Sequence, residues 1–204
     1  MWIVKLGGSL QRDALLPGWL ELLVELGAGR VVVVPGGGRF ADQAREAQAW
    51  WQLDDVPAHN MAVLGMAQTA LMMQGLCAAL QTASGDAALR AVLQRGRTAL
   101  WLPLELLRER RDELTHWGVT SDSLALWLAE RLGAERLLLV KSCAIEPGRT
   151  LEQLGESGVV DAEFARRARA SGLPVELLQR TELARARALL GGAAAAGAPS
   201  GLSG

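Results

Sequence analysis

Trp2-Ile3-Val4-Lys5-Leu6-Gly7-Gly8-Ser9 opens the chain as an apolar run of strand length that carries one lysine and ends in paired glycines. The pattern returns at Val31-Val32-Val33-Val34-Pro35-Gly36-Gly37-Gly38, and a third run, Leu137-Leu138-Leu139-Val140-Lys141-Ser142, again ends on a lysine. Short continuous apolar runs bounded by turn residues read as strands covered on both faces. Between them lie stretches with apolar residues at helical spacing, such as Leu15, Leu16, Trp19, Leu22, Leu23 and Leu26. This alternation predicts an α/β fold, a three-layer sandwich with a largely parallel central sheet. Strands are expected at about 2–6, 30–34, 98–102, 136–140 and 174–178, and helices at about 12–27, 40–51, 59–80, 86–95, 121–133, 161–170 and 180–190. Pro17 fits the first turn of the first helix, where a missing N–H costs little. In the third helix Met61, Leu64, Met66, Leu71, Met72 and Met73 read as core or subunit contact.

The 204 residues suffice for one domain, expected over residues 1–190. Residues 191–204 contain only Gly, Ala, Pro, Ser and Leu, a composition expected to stay disordered. A net charge of −1 offers no basic face for nucleic acid or an anionic membrane. No apolar run approaches the roughly 20 residues that span a bilayer. The N-terminus enters a strand at once, without a basic segment and apolar run of a secretory leader. Cys77 and Cys143 form no CxxC and read as reduced core thiols, which together point to a cytoplasmic protein. The apolar third helix and the seven tryptophans predict a homo-oligomer.

Lysine occurs only at Lys5 and Lys141, whereas arginine occurs 19 times. A chain that uses arginine wherever any cation serves keeps lysine where a compact, flexible point charge is needed, as beside a moving phosphoryl group. The glycines after the first strand remove Cβ atoms from a turn whose amides, with the Ser9 hydroxyl, suit phosphate oxygens. Gly36, Gly37 and Gly38 stand between a strand and a helix and predict an anion-binding helix N-terminus. Neither turn is a Walker A loop, and the glycine spacing disfavours a dinucleotide site and hence an oxidoreductase. Thr120-Ser121-Asp122 precedes an apolar helix; these are natural N-cap residues, and Asp122 is also placed to hold the two ammonium groups. Two glycine cradles meeting at strand ends suit phosphoryl transfer, in which catalysis is positioning and charge neutralisation.

Lys5–Ser9 (KLGGS), Val32–Gly38 (VVVPGGG), Thr120–Asp122 (TSD) and Leu137–Ser142 (LLLVKS), in this order, resemble the amino acid kinase superfamily over roughly residues 1–180. The resemblance implies ATP-dependent transfer of the γ-phosphoryl without a covalent enzyme intermediate. It gives Lys5 and Lys141 the transferring phosphoryl and Asp122 the task of orienting them. Gly7, Gly8, Ser9, Thr120, Ser121 and Ser142 would meet ATP phosphates, and Gly36, Gly37 and Gly38 would line the acceptor site. ATP and Mg²⁺ are the implied cofactors, with no protein metal site. PGGGRFAD, the segment Asp54–Ala62, TSDS and Val160–Phe164 resemble the [5-(aminomethyl)furan-3-yl]methyl phosphate kinases, which make the diphosphate of that compound for methanofuran-type cofactors. Arg39 and His59 would then face the acceptor phosphate, and Asp42, Asp54 or Asp55 its ammonium group. Plainer readings stand beside these: His59 as a helix N-terminal hydrogen bonder, His116 as a loop residue, Asp54-Asp55 as a solvated helix start. Isopentenyl phosphate, UMP or a carboxylate remain alternative acceptors. A protein of this fold that stores nucleotide or oxyanion without turnover is the alternative to an enzyme.

Overall fold

In the computed structural model, which describes residues 1–196, β1 (Trp2–Leu6) is buried at every position and lies in the middle of the sheet. Five further strands complete it: β2 (Val31–Pro35), β3 (Gln81–Ala83), β4 (Ala99–Trp101), β5 (Arg136–Lys141) and β6 (Val175–Gln179). Their order is β3-β4-β2-β1-β5-β6, and every pairing is parallel. The crossovers are α1 (Leu16–Gly27), α2 (Gly38–Trp51), α3 (Asp55–Leu76), α4 (Asp86–Gln94), α5 (Ser121–Leu132), α6 (Leu151–Glu156) and α7 (Ala162–Ser171), with α8 (Leu183–Ala196) at the end.

Side chains alternate across a strand, so residue parity decides which layer each one meets. Trp2, Val4 and Leu6 join Val31, Val33, Leu138 and Val140 in a core closed by α1 and α8, through Trp19, Leu20, Leu23, Ala186 and Leu190. Ile3 joins Val32, Val34, Leu137 and Leu139 against α4, α5 and α7, through Leu89, Leu126, Leu128 and Phe164. α3 divides between the two cores, giving Val63 and Met66 to one and Ala70 and Met73 to the other. Full burial of each large side chain, such as Trp19, Trp101 or Phe164, stabilises by about 1.5–3 kcal/mol. Lys5 shares parity with Ile3, and Lys141 with Leu137 and Leu139. Both lysines therefore emerge on the α5 side, from neighbouring strands in which Lys5 is paired with Leu139.

Five expected strands are present and a sixth was not foreseen. The helix expected over 59–80 begins at Asp55, with Pro57 tolerated in its first turn, and stops at Leu76. The chain then forms β3, whose three residues pair with β4 and are too few to carry a strand pattern. α1 starts at Leu16 rather than near residue 12, because Gly8–Arg12 forms a 3₁₀ turn. α6 was also unforeseen; a capping box between Thr150 and Gln153 starts it. α8 runs to Ala196, past Leu190 and into the segment expected to be disordered, whose remaining residues 197–204 lie outside the described residues.

The two glycine turns touch each other. A Cβ on Gly8 would stand 2.2 Å from the Gly38 nitrogen, and one on Gly36 would stand 2.2 Å from the Gly8 nitrogen. Backbone meets backbone here, so no side chain can yield. Gly36→Ala is expected to destabilise the fold by at least about 2–3 kcal/mol. Gly191→Ala, inside α8 with nothing near its missing Cβ, should instead stabilise by about 0.5–1 kcal/mol. Thermal or urea unfolding of both variants checks the contrast.

Candidate active site

Lys5 and Lys141 meet on one carboxylate. Lys5 Nζ lies 2.8 Å from Asp122 Oδ1, and Lys141 Nζ donates to Asp122 Oδ2 at 2.5 Å. The side chains are 5% (Lys5), 4% (Asp122) and 12% (Lys141) exposed, so neither lysine simply ends a strand in water. Asp122 stands in the first turn of α5, and Thr120 caps that helix by accepting from the Asp122 N–H at 3.3 Å. A carboxylate is favoured at this positive helix end. Burial raises the Asp122 carboxyl, but the charges of Lys5 and then Lys141 outweigh it and hold it below its ordinary value. Burial, then repulsion from Lys5, push the Lys141 ammonium down against the pull of Asp122. Two cations and one anion leave a surplus of one positive charge in a nearly dry site. An anion in the adjoining space removes that surplus.

The adjoining space is a cleft of about 900 Å³ at the carboxyl ends of the strands. Gly7, Gly8, Ser9, Gly37, Gly38, Arg39, Thr120, Ser121 and Ser142 all line it, together with the three charged groups. Among the described residues the N–H groups of Gly8, Ser9, Gly37, Gly38 and Ser121 find no partner. Unpaired amides at helix starts are ready anion ligands. The Ser9 and Ser142 hydroxyls are 2.6 Å apart and tie the first glycine turn to the end of β5.

Several expected residues stand elsewhere or are already engaged. Gly36 does not reach the cleft; it supports the loop by contact with Gly8 and by donating to Leu6 O at 2.9 Å. The Arg39 N–H is taken by Gln11 Oε1 at 3.0 Å, while Gln11 Nε2 donates to Gly37 O at 3.0 Å and Thr69 Oγ1 at 2.6 Å. The Thr120 hydroxyl donates to Asp161 at 2.7 Å. Asp54 faces a separate small hollow with Leu53, Asp55, Val56 and Arg111. His59 Nε2 is 2.9 Å from Leu106 O, and burial, opposed by that hydrogen bond, lowers its pKa, so it lines the cleft as a neutral ring. Cys143 is exposed at the cleft rather than buried in the core, and Cys77 is half-buried; both are free thiols.

The end of the cleft near α2 carries mixed charge. Arg12 and Arg39 line it and have no carboxylate partner among the described residues. Asp42 pairs with Arg45 at 2.9 Å, and the Arg45 guanidinium lies 4.4 Å from the centre of the Trp117 ring. Trp117 Nε1 donates to Gln48, which donates in turn to Asp55 at 3.2 Å, and Asp55 also pairs with Arg111 at 3.0 Å. His116 lines the cleft from a loop and accepts from Gly118 N–H at 3.1 Å. No local pattern marked Gln11, Arg12, Arg45 or Trp117: Gln11 and Arg12 stand in the 3₁₀ turn Gly8–Arg12, and Arg45 meets Trp117 only when α2 reaches the loop before α5. Asp161 had a readable signal, an aspartate just before an amphipathic helix, but not its reach to α5.

A family model described as the amino acid kinase family matches residues 1–144. The chain is 27% identical over 143 residues to a [5-(aminomethyl)furan-3-yl]methyl phosphate kinase of Methanocaldococcus jannaschii, a match covering 68% of this chain and 64% of that protein. The chain thus spans less than two thirds of that relative's length. Among solved structures, a uridylate kinase from Archaeoglobus fulgidus superposes with a TM-score of 0.67 at 15% identity, covering 92% of this chain and 96% of that one. An isopentenyl phosphate kinase superposes with a TM-score of 0.61 at 15% identity, covering 94% and 96%. At such identities these structures share the fold.

The charge count makes a prediction for stability. The depressed Asp122 value means its ionised form stabilises the fold above about pH 4, a contribution lost as pH falls through the folded-state value. Asp122→Asn leaves two buried ammonium groups facing each other and is expected to cost about 3–5 kcal/mol at pH 7. The deficit should shrink towards pH 10, as the Lys141 ammonium, already lowered by burial and by Lys5, loses its proton. Denaturant midpoints from pH 6 to pH 10 test both the size and the sign.

Proposed function

The chain belongs to the amino acid kinase family, and from that premise we propose that it is an ATP-dependent phosphotransferase acting on a small anionic metabolite. The observation that carries the reading is the buried Lys5–Asp122–Lys141 group with its surplus positive charge, opening on a cleft lined by free amides. A γ-phosphoryl placed there meets both ammonium groups, with the Gly8 and Ser9 amides beside them. As negative charge spreads over its oxygens in a loose transition state, the lysines follow it, and Asp122 keeps them converged. The nucleotide side lies towards Ser142, Ser121 and Gly158. The acceptor side lies towards Gly37, Gly38, Arg12 and Arg39. An acceptor that is itself a phosphate attacks with an oxygen already ionised and needs no general base.

Magnesium enters with the nucleotide. Among the described residues no group of three or more His, Cys, Asp or Glu side chains is placed to hold a metal; Mg²⁺ bound to the nucleotide would neutralise part of the charge on its phosphates. The residues named above carry the rest of the charge stabilisation.

For the acceptor, the reading that fits best is [5-(aminomethyl)furan-3-yl]methyl phosphate, converted to its diphosphate, the substrate named for the archaeal relative. Its phosphate suits Arg12 and Arg39, its ring suits the Trp117 wall, and its ammonium suits Asp42 or Asp55. A purely apolar tail, as in isopentenyl phosphate, would set hydrocarbon against the charged groups Asp42, Arg45 and Asp55 that line this end of the cleft. UMP and carboxylate acceptors form the comparison set. Retention without turnover is the second reading, since a surplus cation also suits a static oxyanion.

We also propose a homo-oligomer. From Met61 to Leu76, α3 has no charged residue, yet Leu64, Leu71 and Leu76 are 44%, 56% and 53% exposed. A charge-free apolar face is complementary to itself and to no charged partner, so a second copy of α3 is its natural cover. Among the described residues no helix is long and apolar enough to cross a membrane, and the two free thiols suit a reducing, cytoplasmic setting.

Acceptor-dependent ADP release from Mg·ATP, measured over this panel, tests the activity. Lys5→Met and Lys141→Arg are each expected to lower kcat by about 10²–10³-fold with the fold retained. ATP binding without ADP from any acceptor, or near-wild-type turnover in Lys5→Met, would sink the kinase reading. Leu64→Glu with Leu71→Glu should turn an oligomer into a monomer in light scattering; a wild-type monomer throughout the micromolar range contradicts the proposed interface.

A further inference from the structure

Asp161 does more than begin a helix. It is the N-cap of α7, a role met by one bond, from Phe164 N–H to Oδ1 at 2.6 Å. The same carboxylate takes four more hydrogen bonds from the first turn of α5. Its Oδ2 accepts from the Thr120 N–H at 3.1 Å, the Thr120 hydroxyl at 2.7 Å and the Ser123 N–H at 3.1 Å. Its Oδ1 accepts from the Ser123 hydroxyl at 2.5 Å. A carboxylate has about four lone-pair sites, so the acceptor capacity is filled. Asp161 has no cationic side chain as partner among the described residues. Its charge is met by the N-terminal ends of two helices and by hydroxyl groups.

What these bonds enclose is Asp122. Thr120 and Ser123 flank it, both held by Asp161, and its own N–H is held by the Thr120 hydroxyl that donates to Asp161. Among the described residues the polar partners of the Asp122 carboxylate are the two lysines. Among the described residues no neutral group hydrogen-bonds to it, so its direction is set by the backbone of this turn. Asp161 also ends the excursion that leaves the sheet at Lys141 and returns at α7, and Ser142, Gly158 and Val159 of that excursion line the cleft.

We propose that Asp161 is the positioning residue for the lysine–aspartate group, locking the α5 turn so that Asp122 draws both ammonium groups onto one point. The proposal rests on the phosphotransfer reading for its effect on rate, but not for its effect on the lysines. In Asp161→Asn the shape is kept, while at least one N–H or O–H of the α5 turn must face an amide NH₂ group. Misplacing a reacting group by about 1 Å costs about 100-fold in rate, which is the expected loss in kcat per folded molecule, with KM for ATP and acceptor within about threefold.

A second readout needs no turnover. The chain has only two lysines, so ¹³C-lysine labelling gives NMR signals for Lys5 and Lys141 alone. In Asp161→Asn both signals should move and Lys141 should titrate at lower pH, since Asp122 no longer faces it squarely. Should that variant fail to fold, Ser123→Ala removes one of the five bonds; it should move the same two signals and lower kcat by about 3–10-fold. Unmoved lysine signals in a folded variant overturn the proposal, as does a loss of thermal stability with unchanged kcat per folded molecule. An inactive wild type would remove the phosphotransfer reading and leave the lysine signals as the deciding measurement.

Discussion

One carboxylate between two ammonium groups, closed off from water, is the constraint on which this molecule depends. Asp122 neutralises one of the two lysines, and the remaining charge must be answered by something that is not protein. Each level of the fold bears on that point. A parallel sheet sets β1 beside β5, and residue parity turns Lys5 and Lys141 to the same layer. The helix of that layer presents Asp122 from its positive end, where a carboxylate is most easily kept ionised. A buried group of like design in a purely structural role would balance its charges, because an unpaired buried charge costs several kcal/mol. An imbalance retained beside a lined cleft is the signature of a ligand.

The glycine turns show how one feature can serve packing and binding together. Gly8 and Gly36 are needed because the two loops press backbone on backbone, which is a requirement of the fold. That same pressure brings two sets of unpaired amides into one cleft, which is a requirement of the site. Gln11 illustrates the division. Its side chain staples the triglycine loop through Gly37 O and the Arg39 N–H, leaving the Gly37 and Gly38 amides to face the cleft. The empty space at each glycine was legible in the sequence; its occupant, often another backbone segment, was not.

How much could be read in advance follows from what each inference rests on. The sheet and the layer of helices were legible because buried parallel strands are written as unbroken runs such as Val31–Val34. The convergence of Lys5, Asp122 and Lys141 was legible because strand ends in such a sheet share one edge. β3 escaped notice because three residues carry no period, and α6 because its six residues depend on a local capping box. Arg45 and Trp117 escaped for a different reason. Their relation is a contact between α2 and a loop far away in the chain, and no local pattern encodes it. His59 was legible as a candidate; it lines the cleft with its Nε2 against Leu106 O, a contact between distant segments that no local pattern encodes.

The distribution of cations then acquires a physical reason. Where charge is held at a fixed place, the chain uses arginine: Arg131 on Asp86, Arg187 on Glu25, Arg180 on Asp13, each a carboxylate at the surface or a loop. A planar fork suits a stationary carboxylate, whose two oxygens it matches. At the reacting point the geometry differs. In the proposed phosphotransfer the group to be held passes from one oxygen to another, and its charge moves with it. A single ammonium on a flexible stem can keep contact through that passage, provided its base is fixed, and both stems are fixed by strands buried on each side. Asp122 is the counterweight, strong enough to keep the pair converged and, with one charge against two, too weak to satisfy them. An arginine at either strand end would present a wider head to a carboxylate already shared, and would hold its partner in one geometry. Under the proposed phosphotransfer, the scarcity of lysine elsewhere and its placement here are two sides of one requirement, that the site stay electrostatically unfinished until a phosphoryl group arrives.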